Sequence, residues 1–254
     1  YVGKPPLSYT DNGYADFVTA QSSRKPMVYV AANDGMLHAF SADGSDAGSE
    51  LWAYVPSFVM QNMYLLADTN YANNHRYFVD GTPVVGDIYV GGAWKTILVG
   101  GLNSGGRGYY CLDITNPTSP KTLWEFTDTN MGLTYGNPVI TKRKDGTWVV
   151  AFTSGYNNTS GDGNGHLYVV NANTGVLLKN IPTYTSGALP AGTSSAPSNL
   201  GKLDMWTDDA KNNTAARYYA GDMLGNLWRF DIDGVVSPNN AALLLANFSV
   251  GGTP

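Results

Sequence analysis

Two polar loops carry the side chains best suited to chemistry, and that chemistry is cation binding. Calcium takes about six to eight oxygen ligands, which alternating Asp and Asn residues in a tight loop can supply. In residues 157–165, Asn158, Ser160, Asp162 and Asn164 fall at every second position, as at the start of an EF-hand loop. Only one of them is charged and no closing acid follows, so a plain Asn/Asp-Gly turn competes with the metal reading. Residues 204–217 hold Asp204, Asp208, Asp209, Asn212 and Asn213. Three carboxylates so close together must be solvated, paired or metal-bound, and Lys202, Lys211 and Arg217 are near enough to pair.

Other chemistries find little support. His38, His75 and His166 have no second His or Cys at metal-ligand spacing. No nucleophile elbow, zincin motif or Ser/His/Asp order stands out, so the chain is read as a non-enzyme. The glycine-rich run at 101–108 lacks a Walker lysine and opens into a strand, which fails the phosphate-loop test. Cys111 is a lone cysteine in an apolar strand pattern and reads as packing. A net charge of −5 and a pI near 5.0 exclude a nucleic-acid surface. The only basic run, Lys142-Arg143-Lys144, precedes Asp145-Gly146 and is expected to be a solvated hairpin flank. No stretch approaches the roughly 18 apolar residues of a transmembrane segment.

The elements that must position these loops form a repeat. Residues 218–231 read as a strand ending at Gly221, a turn at Gly225-Asn226, and a second strand from Leu227 to Phe230. The same unit recurs upstream. Ala32, Gly101, Gly155 and Gly221 close the first strand, and Leu37, Tyr109, Leu167 and Leu227 open the second. A third strand follows at 50–54, 123–126 and 176–179. A fourth precedes the hairpin at 82–86, 137–141 and 196–200, with proline at or near its start, where no ladder donor is needed. Four strands per repeat, with glycine and aromatic residues at fixed places, mark β-propeller blades. The predicted fold is therefore all-β, a propeller of four-stranded antiparallel blades filling 1–254 as one domain. Blades are expected at 27–55, 76–126, 134–182 and 200–234. Thirty glycines, seventeen tyrosines and only 14 % charged residues suit such a turn-rich β protein.

Between the blades, residues 1–24 read as an extended lead-in. One helix is expected over 57–67, with Ser57 as its N-cap. Residues 183–198 read as a long loop, and the apolar run 241–246 finds no evident partner. The chain starts without Met or signal peptide and is taken as a piece of something longer.

Five stretches in order carry a resemblance: 27–40, 75–83, 94–101, 105–109 and 219–230, the last containing Tyr219-Ala220-Gly221-Asp222. Together they resemble the C-terminal propeller of the PilY/PilC tip-associated adhesins of type IV pili. The resemblance implies a modified quinoprotein-like propeller, exported to the bacterial cell surface and the pilus tip, outer-membrane associated or periplasmic in transit. It implies minor pilins as partners, support of pilus assembly against retraction, twitching motility, and adhesion to a host-surface protein or glycan. The rival readings are a quinone-dependent dehydrogenase on the same scaffold and a generic envelope-assembly propeller. The single cysteine and the lack of an evident base beside a calcium loop disfavour the enzyme, and no quinone is expected.

Many such proteins bind calcium in an EF-hand-like loop just before the Tyr-x-Gly-Asp strand. Counted back from Asp222, its positions fall on Asp208, Ala210, Asn212, Asn213 and Ala216. Asp208 and Asn212 match. Ala210 and Ala216 offer no side-chain oxygen, and Asn213 stands where glycine belongs, so Asp204 or Asp209 would have to substitute.

Overall fold

The structure is a computed structural model that describes residues 1–183 and 191–248. It folds as four antiparallel sheets, each formed by strands consecutive in the chain. Blade 1 has β1 (Met27–Ala31), β2 (Leu37–Ser41) and β3 (Glu50–Tyr54). Blade 2 has β4 (Val84–Val90), β5 (Ala93–Gly101), β6 (Tyr109–Asp113) and β7 (Lys121–Phe126). Blade 3 has β8 (Val139–Lys142), β9 (Trp148–Thr153), β10 (His166–Asn171) and β11 (Leu177–Pro182). Blade 4 has β12 (Leu203–Thr207), β13 (Ala215–Gly221), β14 (Asn226–Phe230) and β15 (Ala242–Asn247).

The strand-closing column holds for Gly101 and Gly221, which face Tyr109 and Leu227, but Ala31 rather than Ala32 faces Leu37 and Thr153 rather than Gly155 faces Leu167. Two residues further into each second strand the columns hold in register. Tyr29 faces Ala39, Val99 faces Cys111, Ala151 faces Val169 and Tyr219 faces Arg229. Because side chains alternate along a strand, each blade has two faces, and both are apolar where blades meet. One core lies between blades 1 and 2, where Met27, Tyr29 and Ala39 meet Leu98, Tyr110 and Leu112. The next sets Ile97, Val99 and Cys111 against Val150, Tyr168 and Val170. The third sets Val149, Ala151 and Val169 against Ala220, Trp228 and Phe230. A sheet that could not bury both faces alone does so between neighbours.

Several expectations need correcting. Blade 1 lacks a full fourth strand; Val2 takes its place by exchanging main-chain hydrogen bonds with Met27 at 2.8 and 2.9 Å. The inner strand of blade 4 is β12, not 196–200, and the unplaced run at 241–246 belongs to β15, its outer strand, so the blade extends beyond 234. The lead-in contains a helix, α1 (Tyr14–Ala20). It is too short to show a helical period in sequence. Its stability comes from tertiary contact instead, with Tyr14 and Phe17 ringed around Trp94 at 4.6 and 6.4 Å. The helix expected over 57–67 is shorter: α2 (Ser57–Met60) is followed by a separate 3-10 turn over Met63–Ala67. Pro56, not Ser57, is its N-cap. Glu125 from blade 2 accepts the Ser57 amide at 2.8 Å and its hydroxyl, replacing a local cap. Residues 184–190 of the expected loop lie outside the described residues.

Candidate functional site

The loop at 204–217 is split by the fold. Asp204 lies within β12, opposite Tyr219, and its carboxylate accepts the Met205 amide at 2.8 Å. It is therefore a strand residue that cannot join a loop site, a consequence of β12 starting at Leu203. Asp208, Asp209 and Asn212 do come together. They line one cavity of about 360 Å³ with Thr214, Lys144, Arg217 and Asp233. Asp208 accepts the Trp206 indole N–H at 2.9 Å, Asp209 accepts the Lys211 amide at 2.8 Å, and Asn212 accepts the Thr214 hydroxyl at 2.7 Å.

Asn213 explains how the loop turns without glycine. Its φ is 53°, the left-handed region that Asn tolerates better than other side chains. Its amide group faces inward, donating to the Tyr9 hydroxyl at 3.0 Å and toward the Ile140 carbonyl at 3.4 Å. Its own carbonyl accepts from the Lys142 amide and the Thr141 hydroxyl. The side chain at the glycine position thus ties the loop to blade 3.

Measured against calcium, the donor set is short. Asp208 and Asp209 bring carboxylates and Asn212 an amide oxygen, while Ala210 and Ala216 bring nothing. Two cationic side chains, Lys144 and Arg217, share the same cavity. Among the described residues no group of three or more His, Cys, Asp or Glu side chains is arranged to hold a metal.

The loop at 157–165 is built as a joint between blades 2 and 3. Asn158 is fully buried and donates to the Asn164 carbonyl at 2.6 Å. Ser160 donates to the Thr129 carbonyl at 2.9 Å and accepts from Arg107 at 3.2 Å. Asp162 accepts the Asn164 amide at 2.8 Å and faces His166 at 3.1 Å. Burial alone would raise the Asp162 carboxyl, but the bonds from His166 and Asn164 outweigh it and hold its pKa low. The Ser160 and Asp162 oxygens therefore serve separate bonds, while the Asn158 Oδ1 is buried without a partner among the described residues.

Sequence reasoning assigned no role to the carboxylates that organise the site region. Asp222, in the Tyr-x-Gly-Asp stretch, accepts from Leu224 and Asn226 amides, the Asn226 side chain, the Trp228 indole and the Ser198 hydroxyl, all within 2.8–3.2 Å. Its place directly after the strand-closing glycine was the available signal, since Asp there makes an Asx turn. Asp128 accepts the Tyr168 phenol at 2.8 Å. Burial, and then that bond, raise the Tyr168 pKa far above its usual value. The basic run is not a solvated flank either. Lys142 pairs with Asp11 at 2.5 Å and lies over Trp148, while Arg143 grips Asp233 at 2.7 and 2.9 Å.

The family described as the PilY1 beta-propeller domain matches residues 5–247. The chain belongs to that family. It is 36 % identical over 223 residues to the type IV pilus biogenesis factor PilY1 of Pseudomonas aeruginosa PAO1, covering 86 % of this chain and 18 % of the relative. It is 38 % identical over 241 residues to a PilY1 homolog of Xylella fastidiosa, covering 91 % of this chain and 18 % of that protein. The crystal structure of the P. aeruginosa PilY1 C-terminal domain superposes with a TM-score of 0.73 at 33 % identity, over the whole of this chain and 52 % of that one. The chain thus spans under a fifth of the curated relatives and about half of the solved domain. In this PilY1-family propeller Gly101 and Gly221 end their strands, and Asp222 makes the Asx turn that follows Gly221.

Proposed function

We propose that the chain is the propeller portion of a type IV pilus biogenesis factor, acting without catalysis as a rigid mount at the pilus. The observation that carries this reading is the family match across nearly the entire chain, joined to a structural likeness at 33 % identity. The polar loops agree with a mount. Arg107, Asp128, Glu125 and Asp222 each tie together segments distant in sequence, so their charge and hydrogen-bonding capacity is engaged in holding blades and loops in place. In this reading minor pilins are the direct partners, and the propeller supports assembly against retraction at the cell surface. Twitching and adhesion to a host protein or glycan follow from that position.

The test is genetic. Replacing the native gene with a version whose propeller is disrupted at Gly105 should remove surface pili from cells with an active retraction motor. Deleting the motor in the same cells should restore them. Piliation unchanged in the first strain would sink the proposal.

A further inference from the structure

The link between blades 1 and 2, residues 55–83, is longer than the links at 127–138 and 183–202. Long links in a compact fold usually carry function. Both ends of this one are anchored. Val59 and Phe78 are buried, and the Phe78 amide donates to the Asn33 side chain at 3.1 Å. Phe58 and Met63 lie against Gly108 and Gly35, where an added Cβ would come within 2.6 and 2.9 Å of them. Between the anchors the tip faces solvent. Tyr64 and Tyr77 are 72 % and 51 % exposed, and Asn62, Asn70, Asn73 and Asn74 are exposed with them. Tyr supplies broad, rigid contact at low entropy cost, and Asn supplies adaptable hydrogen bonding.

Two cavities on the tip share Arg76 as a wall. The larger, about 570 Å³, is lined by Leu65, Asp68, Tyr71, Asn74, His75 and Arg76. The smaller, about 210 Å³, adds Asn62 and Tyr77. The Tyr71, His75 and Tyr77 rings run in contact from one to the other, with centroids 5.6 and 5.2 Å apart. The polar groups there are not engaged in holding the fold. Among the described residues the side chains of Asn74, His75 and Arg76 make no hydrogen bond or ion pair, and the Asp68 carboxylate accepts only the Asn70 amide, at 2.9 Å. Opposite charges thus share a cavity without pairing.

This combination selects one ligand chemistry. An anion would meet Asp68, and a cation would meet Arg76. A neutral sugar suits both, because each hydroxyl donates and accepts. The C–H face of its ring packs on the electron-rich face of a phenol ring. We propose that the tip over 60–77 is a binding site for neutral hexose or N-acetylhexosamine units. Tyr71 and Tyr77 are the ring platforms, and Asp68, Asn74 and Arg76 are the hydroxyl partners. The inference rests on the adhesive part of the function proposed above and gives it a ligand class and residues.

The experiment applies purified full-length protein to an array of neutral oligosaccharides ending in galactose, glucose, mannose or N-acetylglucosamine. Sialylated and sulfated glycans and phosphocholine stand alongside. Binding to at least one neutral sugar is expected. Tyr77→Ala and Arg76→Gln, whose side chains have no bond to lose, should each weaken it about tenfold in protein of unchanged melting temperature. Tyr77→Trp, which keeps a platform, should retain it. Binding confined to acidic glycans or phosphocholine overturns the proposal. So does binding that Tyr77→Ala and Arg76→Gln leave intact, or no binding at all. Piliation in the retraction-motor strains is read separately, so a failure here leaves the pilus role standing, and a failure there leaves the array result readable.

Discussion

The Tyr14 phenol donates a 2.7 Å hydrogen bond to the Asp87 carboxylate, joining helix α1 to the inner strand of blade 2 across 73 residues. Both residues are nearly fully buried. The Thr96 hydroxyl donates to the other Asp87 oxygen at 2.6 Å, and Arg24 donates to Thr96 at 2.5 Å. Burial, followed by the bond to Asp87, pushes the Tyr14 pKa far up, so the phenol stays a donor throughout the ordinary pH range. Tyr14→Phe leaves a buried carboxylate oxygen short of a partner. We expect urea unfolding to show a loss of about 1–3 kcal/mol with an unchanged m-value. A loss below about 0.5 kcal/mol would mean that the aromatic cluster, not the bond, fixes the helix.

His38 gives blade 1 a pH dependence with a definite sign. Burial lowers its pKa, but hydrogen bonds to Glu50 and Asp34, both 2.9 Å, outweigh this and raise it. A raised histidine contributes stability that is complete below its unfolded value of about 6.5 and is lost as pH rises through the folded value. Both acids are exposed, so screening keeps the effect at or below about 1 kcal/mol. The melting temperature of the wild type relative to His38→Gln should therefore fall as pH rises above about 6.5. A difference that is flat or grows with pH would refute the assignment.

Glycine positions separate close packing from simple turns. A Cβ on Gly105 would collide with the main-chain carbonyl of Phe78, which has no flexible end to move aside. Gly146 has a φ of 86° in the β8–β9 hairpin, with open space around it. Gly105→Ala should cost about 3 kcal/mol or more, and Gly146→Ala about 1 kcal/mol from backbone strain alone. Equal shifts in chemical denaturation would show that residues 102–106 can move away from 78.

These contrasts explain what the sequence could and could not reveal. Hairpins were legible because Gly101 and Gly221 end strands in the same column, Gly155 follows two residues past the end of β9, and the apolar runs at 97–101 and 109–113 flank a glycine-rich turn. Helix α1 was not legible, because its packing partner Trp94 lies some 80 residues away in the chain. β12 was missed for a related reason. Asp204 and Trp206 alternate with Leu203 and Met205, but the acids nearby resemble a ligand loop. The same acids suggested a metal at 204–217, where the fold assigns Asp204 to a ladder and turns Asn213 inward.

Asn213 is where the metal and structural readings of that loop give opposite results. If its task is structural, Asn213→Gly keeps the left-handed turn but loses the bonds to Tyr9 and Ile140. Asn213→Ala loses those bonds and adds about 1–2 kcal/mol of strain at φ 53°. Ala should therefore be the more damaging change in thermal unfolding. Calorimetric titration of chelator-treated protein should show no saturable calcium binding, since Ala210 and Ala216 supply no ligands and Lys144 and Arg217 share the cavity. Saturable binding abolished by Asp208→Ala would instead mean that the metal reorganises the loop, drawing Asp208 away from Trp206. Asn213→Gly should then strengthen binding, because it restores the freedom of an EF-hand turn where Asn now anchors the loop to blade 3.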